Sequence, residues 1–226
     1  MFALSSSIRW APRAHLAFTR AISSLPNNPH IKVFDDHTSP ASHILTYLDN
    51  DPPSKQLSIG TSAIIPPTPQ SFRQNPEFLK ILDQVIQEYG HQDEDVVSQA
   101  RALAGPGGFN LGSGGVFFPQ QKRRQKKGAA GGDGAGGASS QGGAGGAGRG
   151  GWVHLSDRRN PPDYGRIAWP EDILGSVEVD QTGTVIGKVQ PSGTYRIVTN
   201  EGILGLSPFL RDKLVERLKQ EYAKAK

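Results

Sequence analysis

Residues 173–202 read ILGSVEV, DQTG, TVIGKV, QPSG, TYRIVT and NEG. Three β-rich runs, Ile173 to Val179, Thr184 to Val189 and Thr194 to Thr199, alternate with turn residues. That punctuation is the signature of antiparallel strands joined by tight connections. Ser207-Pro208 then supplies an N-cap and a first-turn proline. Leu210, Leu214, Leu218 and Tyr222 follow at i, i+4 spacing, which predicts one apolar helix stripe. The expectation is a small antiparallel meander covered by a C-terminal helix. Lys224 and Lys226 complement the negative end of that helix's dipole.

Immediately upstream, residues 128–151 carry 13 glycines in 24 positions. Such a stretch buries too little surface to offset the entropy of ordering it, so a flexible linker is expected. The Gly-rich character begins at Gly105, which places a disordered linker over 105–151. Within it, Val116-Phe117-Phe118-Pro119 is a short apolar island able to dock on a folded part. The linker separates residues 29–104 from 152–226. Each half is near the lower size for independent folding. One composite core with the linker looped out is therefore favoured, because loop entropy grows slowly with length.

In the first half, His30 to Phe34 reads as a strand, Pro40 to Leu48 as a short helix and Lys55 to Ser62 as a second strand, a β-α-β pattern. Asn75-Pro76-Glu77 opens a helix with a cap, a first-turn proline and an acidic first turn. Phe78, Ile81, Leu82, Val85, Ile86 and Tyr89 continue it, and Gly90 ends it. A second helix over Asp93 to Ala104 completes an αα-hairpin. The fold class is α+β.

Residues 1–22 contain Arg9, Arg13 and Arg20, serines and no acid. This is the composition of a mitochondrial transit peptide, with cleavage expected near Ile22/Ser23. Removing it leaves 22 basic against 21 acidic residues. The net charge of +4 is thus largely an address rather than a nucleic-acid surface. Absent cysteine excludes thiol chemistry and Cys-type metal sites. No apolar run approaches the length of a membrane span.

The densest polar constellation is residues 152–172, WVHLSDRRNPPDYGRIAWPED, neither helix- nor strand-periodic. Three readings stay open. Arg158 or Arg166 can fork to Asp163 or Asp172 and lock an irregular loop. Alternatively Trp152, Arg158, Arg159, Tyr164, Arg166 and Trp169 form a protein-binding surface, since Trp, Tyr and Arg dominate interface hot spots. Thirdly, His154 with Asp157 and nearby Ser156 can form a base–orienter pair in a small hydrolase-like site, although no nucleophile motif frames them. Elsewhere, Lys122, Arg123, Arg124, Lys126 and Lys127 can contact RNA phosphates or form a solvated charge cluster. His30, His37 and His43 with Asp35 and Asp36 match no metal-ligand spacing. No phosphate-loop pattern occurs, so neither cofactor nor nucleotide is expected.

The run 152–210, above all RNPPDYGRIAWPEDILGSVEVD and TYRIVTNEGILGLSPFL, resembles a group of uncharacterised fungal mitochondrial proteins. So do His30-Ile31-Lys32-Val33-Phe34 and Asn75-Pro76-Glu77-Phe78-Leu79. The resemblance implies a mitochondrial protein and carries no catalytic residue over. The expectation is a non-catalytic factor of the mitochondrial matrix that binds a protein partner through 152–172. An RNA- or ribosome-associated factor using 122–127 and a hydrolase around His154 are the alternatives.

Overall fold

The computed structural model describes residues 23–36, 38–39, 41–104, 150–163 and 166–225. The expected leader 1–22, residues 105–149 with the island 116–119 and the basic run 122–127, His37 and Tyr164 lie outside the described residues.

The fold is α+β. Its first sheet is an antiparallel meander of five strands in sequence order: β1 (Ser23–Leu25), β2 (Asn28–Asp35), β3 (His43–Thr46), β4 (Gly60–Ser62) and β5 (Phe72–Gln74). The β-α-β expectation fails here. The segment expected as a helix over Pro40 to Leu48 is instead β3, paired on both sides. Ile44, Leu45, Thr46 and Tyr47 are all buried. A central strand covered on both faces carries consecutive apolar residues, and a run that short does not distinguish strand from helix. The expected strand over Lys55 to Ser62 divides into a 3-10 turn, Lys55–Leu57, and β4. Because β1 starts at Ser23, the folded first segment begins ahead of residue 29.

Helix α1 (Pro76–Tyr89) starts as its sequence prescribes. The Asn75 side chain accepts from the Glu77 N–H at 3.0 Å, with Pro76 in the first turn. Its amide also donates to Gln56 O and Ser58 O, both at 2.8 Å, fastening the helix start to the preceding chain. Helix α2 (Glu94–Ala104) follows a 3-10 turn, Gly90–Gln92. It does not fold back along α1 as an αα-hairpin requires. It packs instead on β6 (Gly151–Ser156).

In the second segment β6 pairs antiparallel with β7 (Ile173–Val179), which pairs with β8 (Val185–Pro191). The β7–β8 turn is where the sequence puts it, and Gly183 there has φ +80, a conformation costly for residues with a Cβ. The third member of the sheet differs from expectation. It is β6, whose Val153 and Leu155 alternate inward. The run Thr194 to Thr199 supplies only β9 (Val198–Thr199), which pairs with β10 (Gly202–Ile203).

Helix α3 (Pro208–Lys224) buries Leu210, Leu214 and Leu218 as its stripe predicts. Its main partner is α1 rather than the β6–β8 meander, and α1 packs on β8 in turn. The buried residues of both segments form one cluster that runs from Leu25 and Ile31 through Phe78 and Leu82 to Val177, Val189 and Leu214. A polar tie crosses the same boundary. Ser207 Oγ donates to buried Asp93 and accepts from the Leu210 N–H at 3.2 Å. Asp93 also accepts from the Asp95 N–H at 3.0 Å. The N-termini of α2 and α3 thus share one capping arrangement.

Candidate functional site

The 152–172 segment leaves β6 at Ser156 and returns into β7 at Ile173. Beneath it lies a buried polar network centred on Arg159. The Arg159 side chain is 3 % exposed, between Asp157 and Asp172. Its Nε donates to Asp172 Oδ1 at 2.8 Å, Nη1 to Ile197 O at 2.8 Å and Nη2 to Glu171 O at 3.0 Å. The guanidinium lies 5.4 Å from the Tyr195 ring centre. Asp157 accepts the Arg159 N–H at 2.8 Å and the Gly205 N–H at 2.9 Å, both on Oδ1, and the Tyr195 hydroxyl at 2.7 Å on Oδ2. Burial pushes the Asp157 carboxyl up, opposed by the Arg159 charge and these hydrogen bonds. A Cβ at Gly205 would stand 2.8 Å from Arg159 N and 2.9 Å from Asp157 Oδ1, so glycine is what lets these backbones meet.

Arg159 therefore leaves the set of expected partner-contacting residues. It is an internal strut. Its neighbour Arg158 points the other way. Arg158 Nε and Nη2 fork onto Asp95 Oδ2 and Oδ1 of α2 at 2.8 and 2.9 Å, with the arginine side chain 40 % exposed. The expected forks of Arg158 or Arg166 to Asp163 or Asp172 are not what hold this loop: Arg159, not Arg158 or Arg166, takes Asp172, and Arg158 pairs with Asp95 of α2. Arg166 meets Asp163 only at 4.0 Å, and both side chains are exposed.

A groove of about 750 Å³ runs between α2 and β6 and is bordered on one side by Pro161, Pro162, Asp163, Arg166 and Ile167. Leu103, Ala102, Trp152, Val153, Pro161, Pro162 and Ile167 provide apolar walls, with Asp95, Arg158, Asp163 and Arg166 at the charged positions. Trp152 is 38 %, Ile167 47 % and Trp169 71 % exposed, while Ala168 between the last two is buried. Trp169 stands beside the groove rather than in its lining. Of the expected partner-binding residues, the structure thus gathers Trp152, Arg158 and Arg166 around one concavity, with Trp169 exposed nearby.

The groove also joins His154 and Asp157 to residues of the first segment, the arrangement a hydrolase-like site requires. The two side chains do not act as a pair, however. His154 Nδ1 lies 2.7 Å from Ser176 Oγ, its cross-strand neighbour on β7, and burial lowers its pKa, which favours neutral imidazole. Asp157 spends both oxygens inside the network. A base needs an orienting partner to act in nucleophile activation, and this aspartate does not serve His154. Among the histidines considered as ligands, His43 Nδ1 contacts Asp35 Oδ1 at 3.0 Å. Among the described residues no group of three potential ligands is placed to hold a metal ion, and no helix is long and apolar enough to cross a membrane.

What sequence reading missed is the α2 wall. Leu103 is visible in the sequence as part of an apolar helix side, but Asp95 pairs with Arg158 across 63 residues, and local periodicity carries no trace of that. No family model, curated protein or solved structure matches this chain.

Proposed function

We propose that this chain is a non-catalytic accessory or assembly factor of the mitochondrial matrix that binds a protein partner through the 152–172 segment. The observation that supports this reading is the exposure of Trp152 and Ile167 in the lining of a groove that also reaches Asp157 of the Arg159 network, with Trp169 exposed two residues beyond Ile167. Large aromatic side chains with arginine at a concave, rigid surface are the composition of an interface centre. The two ends of the segment, held at Asp157, Arg159, Asn160 and Asp172, lose little further freedom on binding. Arg158 and Arg166 supply the charged rim. Location in the matrix rests on the composition of residues 1–22.

The test is affinity purification of the tagged full chain from crosslinked mitochondria, with and without ribonuclease. In the wild type a discrete protein survives ribonuclease. Trp169→Ala and Arg166→Ala together reduce its recovery by about thirtyfold, the effect of losing about 2 kcal/mol at a hot spot. Their denaturation midpoint stays within about 0.5 kcal/mol of the parent, as is usual for exposed positions. Unchanged recovery from the double variant would refute the proposal. Recovery that collapses under ribonuclease, and on changing Lys122, Arg123, Arg124, Lys126 and Lys127 to Gln, would place binding in RNA instead.

A further inference from the structure

We propose that the cleft between β2, the residues after β3 and α3 binds the phosphate group of a soluble phosphate monoester, held by Tyr47 and Arg211. The site lies apart from the 152–172 groove and does not depend on the partner-binding reading.

The cleft measures about 590 Å³, and its borders include Pro29 and Lys32 of β2, Tyr47 beyond β3, and Arg211, Val215 and Lys219 of α3. Sites for small organic ligands have this size. Tyr47 is 5 % exposed and its ring packs on Phe78. Its hydroxyl forms no hydrogen bond with a described residue. Buried hydroxyls have partners as a rule. One that borders a cleft without a protein partner is a donor available to a ligand there. Burial raises its pKa, so it keeps its proton at neutral pH.

Arg211 supplies the charge. Its side chain is partly buried, and its ion contact runs from Nε to the exposed Asp212 at 3.7 Å. Among the described residues the guanidinium makes no hydrogen bond, so both Nη groups are unused. Its charge lowers the Tyr47 pKa, which puts the two groups within electrostatic reach. Lys219, exposed and without an ion pair among the described residues, follows about 12 Å further along α3. The cleft's acids are already answered or lie in solvent. Asp49 pairs with Lys32, Glu216 pairs with Lys213 at 3.3 Å, and Asp212 is exposed. The charge left over is cationic.

The donor set selects the ligand. A guanidinium fork uses both oxygens of a carboxylate. A phosphate monoester keeps a third oxygen for the Tyr47 hydroxyl and carries close to two negative charges. Pro29 and Val215 flank its organic body, with Lys219 at the rim. No large apolar side chain in this lining is exposed, which suits a soluble molecule over a lipid surface.

Titration of the full chain with phenyl phosphate, followed by amide chemical shifts, tests this. Saturable shifts are expected at residues 29–32, 47–49 and 211–219. Benzoate, the same ring with a carboxylate, binds at least about tenfold more weakly. Tyr47→Phe weakens phenyl phosphate binding about tenfold and leaves the urea midpoint unchanged, because the hydroxyl has no protein partner to lose. Arg211→Gln removes the shifts. Changing Lys122, Arg123, Arg124, Lys126 and Lys127 to Gln leaves them in place. Shifts that sodium chloride reproduces at equal ionic strength, or Tyr47→Phe binding as tightly as the wild type, would overturn the proposal. Equal affinity for benzoate overturns the choice of phosphate. Binding to vesicles containing phosphatidic acid, with no response to phenyl phosphate, overturns the choice of a soluble ligand.

Discussion

Arg159→Ala removes about 3–5 kcal/mol of stability, the cost of stripping one partner from a buried ion pair. The guanidinium balances Asp157 and Asp172, both fully buried, and satisfies the carbonyls of Glu171 and Ile197. Without it two carboxylates stay out of water with no cation beside them. One must take up a proton or the loop must open. Small domains hold about 5–15 kcal/mol in all, so the variant is marginal at best. Arg159→Lys does not rescue it, because a single ammonium cannot fork to Asp172 and both carbonyls at once. Arg158→Ala, one residue earlier, costs no more than about 1 kcal/mol, the range of an exposed pair. Urea midpoints of the three variants check this ordering. Equal losses from Arg158→Ala and Arg159→Ala would contradict it.

Phe78→Ala costs about 3–5 kcal/mol, the usual loss for a large aromatic removed from a packed core. Phe78 is fully buried in α1, with its ring 6.4 Å from Tyr47 and stacked at 20°. Burial drives the Tyr47 hydroxyl's pKa up. The consequence reaches beyond α1, because this helix packs on α3 and on β8, elements of the second segment. A shared core unfolds as one unit. Far-ultraviolet circular dichroism and tryptophan fluorescence, to which Trp152 and Trp169 contribute alongside Trp10, must therefore shift their midpoints together. A fluorescence transition left in place while the dichroism moves would mean two separate cores.

The legible parts of this fold are those decided within a few residues. Asn75-Pro76 and Ser207-Pro208 mark helix starts because capping is local chemistry. The turn after Val179 is legible because Asp180 Oδ1 accepts the Thr182 and Thr184 N–H groups, each at 2.8 Å, a habit of aspartate in turns. β3 was not legible as a strand, since Ile44-Leu45 shows no alternation when both faces are covered. β6 had a signal, the alternation of Val153 and Leu155, masked by polar neighbours and the glycine tract before it. The tie between Asp93 and Ser207 spans 114 residues and leaves no local mark.

The site divides along the same line. Composition marks 152–172 as special, and the structure builds a groove there. Composition does not sort Arg158 from Arg159. The two arginines are neighbours in the turn that follows β6, yet one reaches Asp95 at the surface while the other enters the core. Which arginine goes inward depends on where Asp172 and Ile197 sit, and that is tertiary information.

The most direct test of the partner-binding account compares two isoleucines of nearly equal exposure. Ile167 borders the groove and is 47 % exposed, and Ile64 lies in the β4–β5 connection at 50 %. A photo-crosslinking residue is placed at each position in turn in the full chain, and mitochondria are irradiated with and without ribonuclease. The account predicts a discrete, ribonuclease-resistant protein adduct from position 167 and none from position 64. Equal labelling from both positions, or no protein adduct from position 167, would contradict it.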